Sequence, residues 1–240
     1  MNDNRIRGKQ WKKLVAEYLF LGFGGDLSLW EEANAKFIKG FIGKGVPNLI
    51  WENRDKSYHD FMEWYIQKWI NDMFDYAGIE RPEKNTYKKI YYEVVKYVDL
   101  RVNAAFPSVI ESIENLFKDG YTICTSSGLE SIELKYYLQG MKIKKFFKAF
   151  YGPDLLNISK IDDTFFRAIF RDLDINPEYS IVIDDKPYYL KNAEKTGANV
   201  IQACLSGEFS PQFPNYITHM RDLPKIIKNV IEYNKKKLTC

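Results

Sequence analysis

Histidine is nearly absent from this chain: His59 and His219 are the whole supply in 240 residues. A catalytic or metal centre built on several histidines is excluded. Cysteine is equally scarce. Cys124, Cys204 and Cys240 are odd in number and widely spaced, without a C-x-x-C pair. Neither a disulfide framework nor a thiolate metal site is expected, and a reduced, cytoplasmic setting is the simplest reading. No charge of one sign dominates. The balance of 35 Lys+Arg against 32 Asp+Glu leaves only +3. The basic runs at 142–148 and 235–237 read as solvated helix faces or a tail, so no nucleic-acid partner is expected. Long apolar runs are lacking too, which excludes a membrane-spanning helix. The first residues (Asn2, Asp3, Asn4, Arg5, Arg7, Lys9) are polar where a signal peptide would be apolar.

What is present suits one large domain, or one domain carrying an insertion, with 45% hydrophobic residues to fill a core. Residues 14–21 (LVAEYLFL) end in an apolar run at 18–21, and the loop Gly22-Phe23-Gly24-Gly25-Asp26 follows. A run ended by glycines predicts a buried strand meeting a tight loop. From 28 to 104 the pattern is helical. Phe61, Trp64, Tyr65, Trp69 and Met73 make one apolar face, and Ser57 with Asp60 forms a capping box ahead of it. Tyr91, Val94, Val95 and Val98 mark a second helix. Leu49-Ile50-Trp51 is a weak candidate for a short strand.

After Phe106 helices and strands alternate. Val109, Ile110, Ile113, Leu116 and Phe117 form a helical stripe closed by Gly120. Strands are expected at 121–125, 150–151, 181–183 and 200–201, with a helix carrying Phe165, Phe166, Ile169, Phe170 and Leu173, and a closing helix carrying Leu223, Ile226, Ile227, Val230 and Ile231. Such alternation predicts a parallel sheet covered on both faces, with ligands at the carboxyl ends of its strands.

Three polar features stand at those ends: Ser126-Ser127-Gly128, Lys160 and the pair Asp184-Asp185. A hydroxyl, an ammonium and two carboxylates at one sheet rim suit a magnesium–phosphate site, because magnesium takes carboxylate oxygens and a phosphoryl group takes hydroxyls, N–H groups and a lysine charge. Each has a plainer reading. The serines could open a helix, the acidic pair could be a turn before Pro187, and Lys160 could be a surface lysine. Their ordered combination outweighs these. Cys124 reads as an inert buried thiol. The loop GFGGDL also suggests a dinucleotide fold, but the acid expected at the end of a second strand about twenty residues on is missing.

The order FPSVIESIENLFKDGYTICTSSG, then Lys160, then IVIDDKPYYLKNAEKTGANVIQA, then NYITHMRDLPKII resembles the haloacid dehalogenase (HAD)-like hydrolase superfamily, in its capped phosphatase-like branch. The resemblance implies an α/β Rossmannoid core, a central parallel sheet flanked by helices, formed by residues 1–27 and 105–240. It also implies an inserted α-helical cap at 28–104. It makes Ser127, or Ser126 one residue earlier, the phosphate-binding hydroxyl. Lys160 becomes the neutralising lysine, and Asp184 and Asp185 the magnesium ligands. A further acid found in many relatives falls here on Tyr188 or Tyr189. The family's first strand ends in an aspartate nucleophile; alignment on 18–25 puts Gly22 there and Gly24 at the general acid/base, with Gly22, Phe23, Gly24, Gly25 and Gly128 lending N–H groups to phosphate. Asp26 is then the one substitute acid nearby. Glycine has no nucleophile to offer, and magnesium loses a ligand. The expectation is a phosphatase-type site for small phosphorylated metabolites or inorganic anions, with its nucleophile lost. The alternative is an inactive anion-binding or protein-interaction module.

Overall fold

Residues 2–42 and 56–238 are described by the computed structural model; Leu49-Ile50-Trp51 lies outside them. The described chain divides into two units. Asn4–Ala104 with Ile132–Met141 form a helical unit, and the other described residues form a core unit.

In the helical unit, α1 (Asn4–Phe23) and α2 (Leu27–Ile42) are followed by α3 (Tyr58–Ala77) and α4 (Tyr87–Asp99). Ser57 caps α3 as its sequence predicts. The Ser57 side chain accepts from the Asp60 N–H, and its hydroxyl donates to Asp60 Oδ2 at 2.7 Å. Gly78, at φ 67°, ends α3 in the left-handed conformation that glycine adopts without steric cost. The apolar face of α3 is core at Phe61, Trp69 and Met73, while Trp64, expected on it, is exposed. Phe74 meets Trp30 at 5.1 Å, Tyr65 meets Phe37 at 5.6 Å, and Trp69 meets Tyr91 at 5.6 Å. These pairs run α2 and α3 antiparallel.

The first expected strand is not there. Residues 18–21 belong to α1, which buries Val15, Ala16 and Leu19. That spacing is one helical face, and the apolar run at 18–21 is only half used: Leu21 is 69% exposed. The glycines then serve the turn between α1 and α2. The Gly24 N–H donates to Phe20 O, and Gly24 and Gly25 have φ of 74° and 85°. Trp30 Nε1 donates to Gly24 O at 2.8 Å. Residues 4–27 therefore fold with the helical unit, not with the core in which residues 1–27 were expected.

The core unit alternates helix and strand as its sequence predicts. Helix α5 (Val109–Lys118) leads to β1 (Ile123–Ser126), and α6 (Ser131–Gly140) follows. Then come β2 (Phe147–Tyr151), α7 (Pro153–Leu156), α8 (Asp163–Leu173), β3 (Ile181–Asp184), α9 (Pro187–Glu194), β4 (Asn199–Ala203), β5 (Tyr216–Ile217) and α10 (Leu223–Leu238). Gly120, at φ 85°, turns the chain out of α5, while the Tyr121 N–H closes the turn onto Leu116 O. Every named strand pair is parallel: β1 with β2, β3 with β4, β4 with β5. Phe165, Phe166, Ile169 and Phe170 of α8 pack with Val182, Leu190 and Val200 into one cluster. The strands nevertheless fall into two sheets, β1-β2 and β3-β4-β5.

Candidate active site

β1 and β3 end at the residues singled out by sequence, and Lys160 joins them. Its ammonium donates to Ser126 O at 2.6 Å and to Asp184 Oδ2 at 2.7 Å. The side chain is buried, with Lys160 only 4% exposed, so this is no surface lysine. A buried ammonium needs partners of this kind, since an unpaired one is strongly disfavoured. The Tyr189 ring lies 4.7 Å from Nζ and the Phe166 ring 5.4 Å, which adds a cation–π contribution.

The acidic pair is split in its electrostatics. Burial alone would raise the Asp184 carboxyl, but the Lys160 charge outweighs it, helped by the Lys186 N–H on Asp184 Oδ1 at 2.9 Å. Asp184 is therefore held below the ordinary carboxylate range and is an anion at neutral pH. Asp185 moves the other way, pushed up by burial and by the neighbouring Asp184 charge. Burial and the same acids push the Tyr189 phenol up to about 12.

The second-motif loop is ordered by main chain. The Ser127 N–H donates to Tyr151 O at 3.1 Å, and its hydroxyl accepts from the Leu129 N–H at 3.1 Å. Ser127 thus orders the turn ahead of α6, which starts only at Ser131, and its O–H remains able to donate. Gly128 is exposed beyond it. Asp154 takes the Ser131 N–H and hydroxyl, both at 2.6 Å, at the start of α6. A β-carbon at Gly152 would meet Leu129 O at 2.3 Å and Ser131 N at 2.7 Å. Gly152 is what lets β2 end against this loop.

The structure therefore brings Ser126, Lys160, Asp184 and Asp185 together, with Ser127 next in chain. Gly22, Phe23, Gly24, Gly25 and Asp26 are no strand-end loop: Gly22 and Phe23 end α1, and the glycines make the turn into α2. Asp26 instead caps α2, accepting from the Ser28 N–H and hydroxyl, both at 2.7 Å. The Ser28 hydroxyl also lowers its pKa. Gly152, Asp154, Phe166 and Tyr189 escaped sequence reasoning. A Gly-Pro-Asp run after a strand marked the first two; the tyrosines in the place of a further acid marked the last.

A magnesium ion fits this set poorly. It wants near-octahedral oxygens, yet among the described residues no group of three His, Cys, Asp or Glu is arranged to hold a metal. Of the two acids present, Asp184 is already paired with Lys160 at 2.7 Å. No helix among the described residues is long and apolar enough to cross a membrane.

Known structures share this fold at low identity. The HAD-hydrolase YfnB of Bacillus subtilis, bound to magnesium, has a TM-score of 0.60 at 13% identity, covering 91% of this chain and 92% of its own. A HAD phosphatase from Thermococcus onnurineus has 0.58 at 16%, covering 95% and 93%. The 2-haloacid dehalogenase of Pseudomonas syringae pv. Tomato has 0.55 at 16%, covering 84% and 91%. No curated protein matches the sequence. The family model of the haloacid dehalogenase-like hydrolases matches residues 50–203, and the chain belongs to that family.

Proposed function

We propose that the carboxyl ends of β1 and β3 bind the phosphoryl group of a small phosphorylated molecule, or an inorganic anion. We further propose that residues 2–42 and 56–238 alone do not carry out covalent phosphoryl transfer. The observation that carries this is the Lys160 bridge between Ser126 O and Asp184. An ammonium at a strand-end rim, next in space to the Ser126 main chain that leads into Ser127, is suited to receive an anion. The carboxylate nearest to it is held as its counter-ion, not free for in-line attack on phosphorus. Magnesium binds weakly, for want of ligands.

Phosphate must compete with Asp184 for Lys160. Opposite charges at contact are worth about a few kcal/mol near a protein surface, so the competitor matters. In a phosphate titration by calorimetry, Asp184→Asn tightens binding several-fold and Lys160→Met abolishes it. Aryl phosphate is turned over negligibly by the wild type, with or without magnesium. Weaker phosphate binding in Asp184→Asn, or robust magnesium-dependent turnover by the wild type, would overturn the reading.

A further inference from the structure

Lys160 has one donor unspent. An ammonium carries its N–H bonds in three tetrahedral directions. Two go to Ser126 O at 2.6 Å and to Asp184 Oδ2 at 2.7 Å. The third meets no oxygen acceptor among the described residues; the other neighbours of Nζ are the rings of Phe166 and Tyr189. The corner is not sealed, since the Asp184 side chain is 12% exposed and Gly128 is exposed beyond Ser127.

An anion that takes this third hydrogen arrives beside two acceptors. Its first oxygen, about 2.8 Å from Nζ, stands about 4.5 Å from both Ser126 O and Asp184 Oδ2, because the three directions are tetrahedral. A second oxygen of the same tetrahedral anion then comes within hydrogen-bond reach of Asp184. Asp184 Oδ2 holds Lys160 and Oδ1 holds the Lys186 N–H, and a carboxylate oxygen has more than one lone pair. The carboxylate can therefore accept again. If the second oxygen carries a proton, it donates to Asp184. If it is bare, two unprotonated oxygens face each other and repel.

Net charge does not choose between one oxyanion and another here. Lys160 and Asp184 cancel. Lys186, whose ammonium lies 5.7 Å from the Tyr189 ring, attracts phosphate and sulfate alike, and Asp185 repels both alike. What differs between them is the proton.

We propose that this rim selects an oxyanion that brings its own proton: inorganic hydrogen phosphate, in preference to sulfate and to the dianion of a phosphate ester. This rests on the anion reading of the same rim and names its ligand. Both forms of inorganic phosphate present at neutral pH carry an acidic proton, and sulfate carries none. A phosphate monoester keeps one only below its second pKa of about 6. Asp184 is thereby more than a competitor for Lys160; it is the acceptor that tells these anions apart. A site built to pair a polar hydrogen rejects the analogue that lacks it, because its own polar group is left facing nothing it can bond.

The test is titration calorimetry on the whole protein near neutral pH, with inorganic phosphate, sulfate and methyl phosphate at matched ionic strength. A hydrogen bond to a charged acceptor is worth roughly ten- to a hundredfold in binding, so the wild type holds phosphate at least tenfold more tightly than sulfate. Methyl phosphate, about one-tenth protonated at pH 7, binds about tenfold more weakly than phosphate. In Asp184→Asn sulfate gains more than phosphate does, and the ratio of the two falls to within about threefold. The comparison of the three anions on the wild type stands by itself should this variant not fold. Sulfate or methyl phosphate bound by the wild type as tightly as phosphate overturns the proposal and leaves the anion reading in place. A preference for phosphate that survives undiminished in folded Asp184→Asn also overturns it, because the discriminating acceptor then lies elsewhere. Binding of none of the three anions by the wild type overturns the anion reading, and the proposal with it.

Discussion

Gly152 and Lys160 show how single residues make this site. At Gly152 the φ of −123° is open to any residue, so what selects glycine is space. An alanine methyl would sit inside contact distance of Leu129 O and Ser131 N, both main-chain atoms that cannot swing aside. Overpacking of this kind costs about 1–3 kcal/mol or more. Gly152→Ala lowers the urea midpoint of the core unit by a corresponding amount; an unchanged midpoint would mean that the loop after β1 does not rest on the end of β2. Lys160 was legible in the sequence by its order between two strand ends. Its bond to the Ser126 carbonyl was not, because main-chain acceptors have no letter of their own.

At the scale of elements, β1 to β4 and the helices α5, α8 and α10 follow from sequence because each signal is local. An apolar run bounded by turn residues defines each strand, and an apolar stripe at helical spacing defines each of these helices. The segment before Gly22 misleads for a physical reason. YLFL is apolar without a period, and such a run fits a buried strand or a helix equally. The deciding pattern lies upstream, in Val15, Ala16 and Leu19, and the glycines that suggest a phosphate loop are a helix-to-helix turn with φ above zero. The consequence can be checked. A β-carbon at Gly22 has nothing within 4 Å, and its backbone is helical, so Gly22→Asp folds. The new charge at the end of α1 opposes the helix dipole by only a few tenths of a kcal/mol. It creates no magnesium-dependent phosphatase activity. Hydrolysis of aryl phosphate above the wild-type background would overturn the reading of Gly22 as a plain helix-end residue.

At the scale of the whole molecule, the two units answer pH differently, and one probe reads only one of them. Every tryptophan lies before residue 70, in the sequence of the helical unit. That unit contains Asp99, fully buried on α4, whose oxygens make no well-formed hydrogen bond. Burial pushes its carboxyl up to about 7, although Tyr137, Trp11 and the Arg7 charge pull the other way. These groups come from α1, α4 and α6, so Asp99 stands where three distant stretches of chain meet. An acid whose pKa is higher folded than unfolded binds more protons in the native state between the two values, so stability falls as pH rises through that interval. The helical unit therefore loses on the order of a few kcal/mol between about pH 4 and pH 7 through this one group, and little more above. In the core, Asp184 is lowered and acts oppositely, its contribution present above the ordinary carboxylate pKa and lost only in stronger acid. Tryptophan fluorescence during urea unfolding separates the two. The wild-type midpoint read this way is higher at pH 5 than at pH 7. Asp99→Asn keeps the shape and removes the titration, so its midpoint is nearly flat over the same range and exceeds the wild type at pH 7. A wild-type midpoint that rises from pH 5 to pH 7 would show that Asp99 enters the folded state ionised and paired, and the three stretches would then be joined by a salt bridge in place of a buried acid.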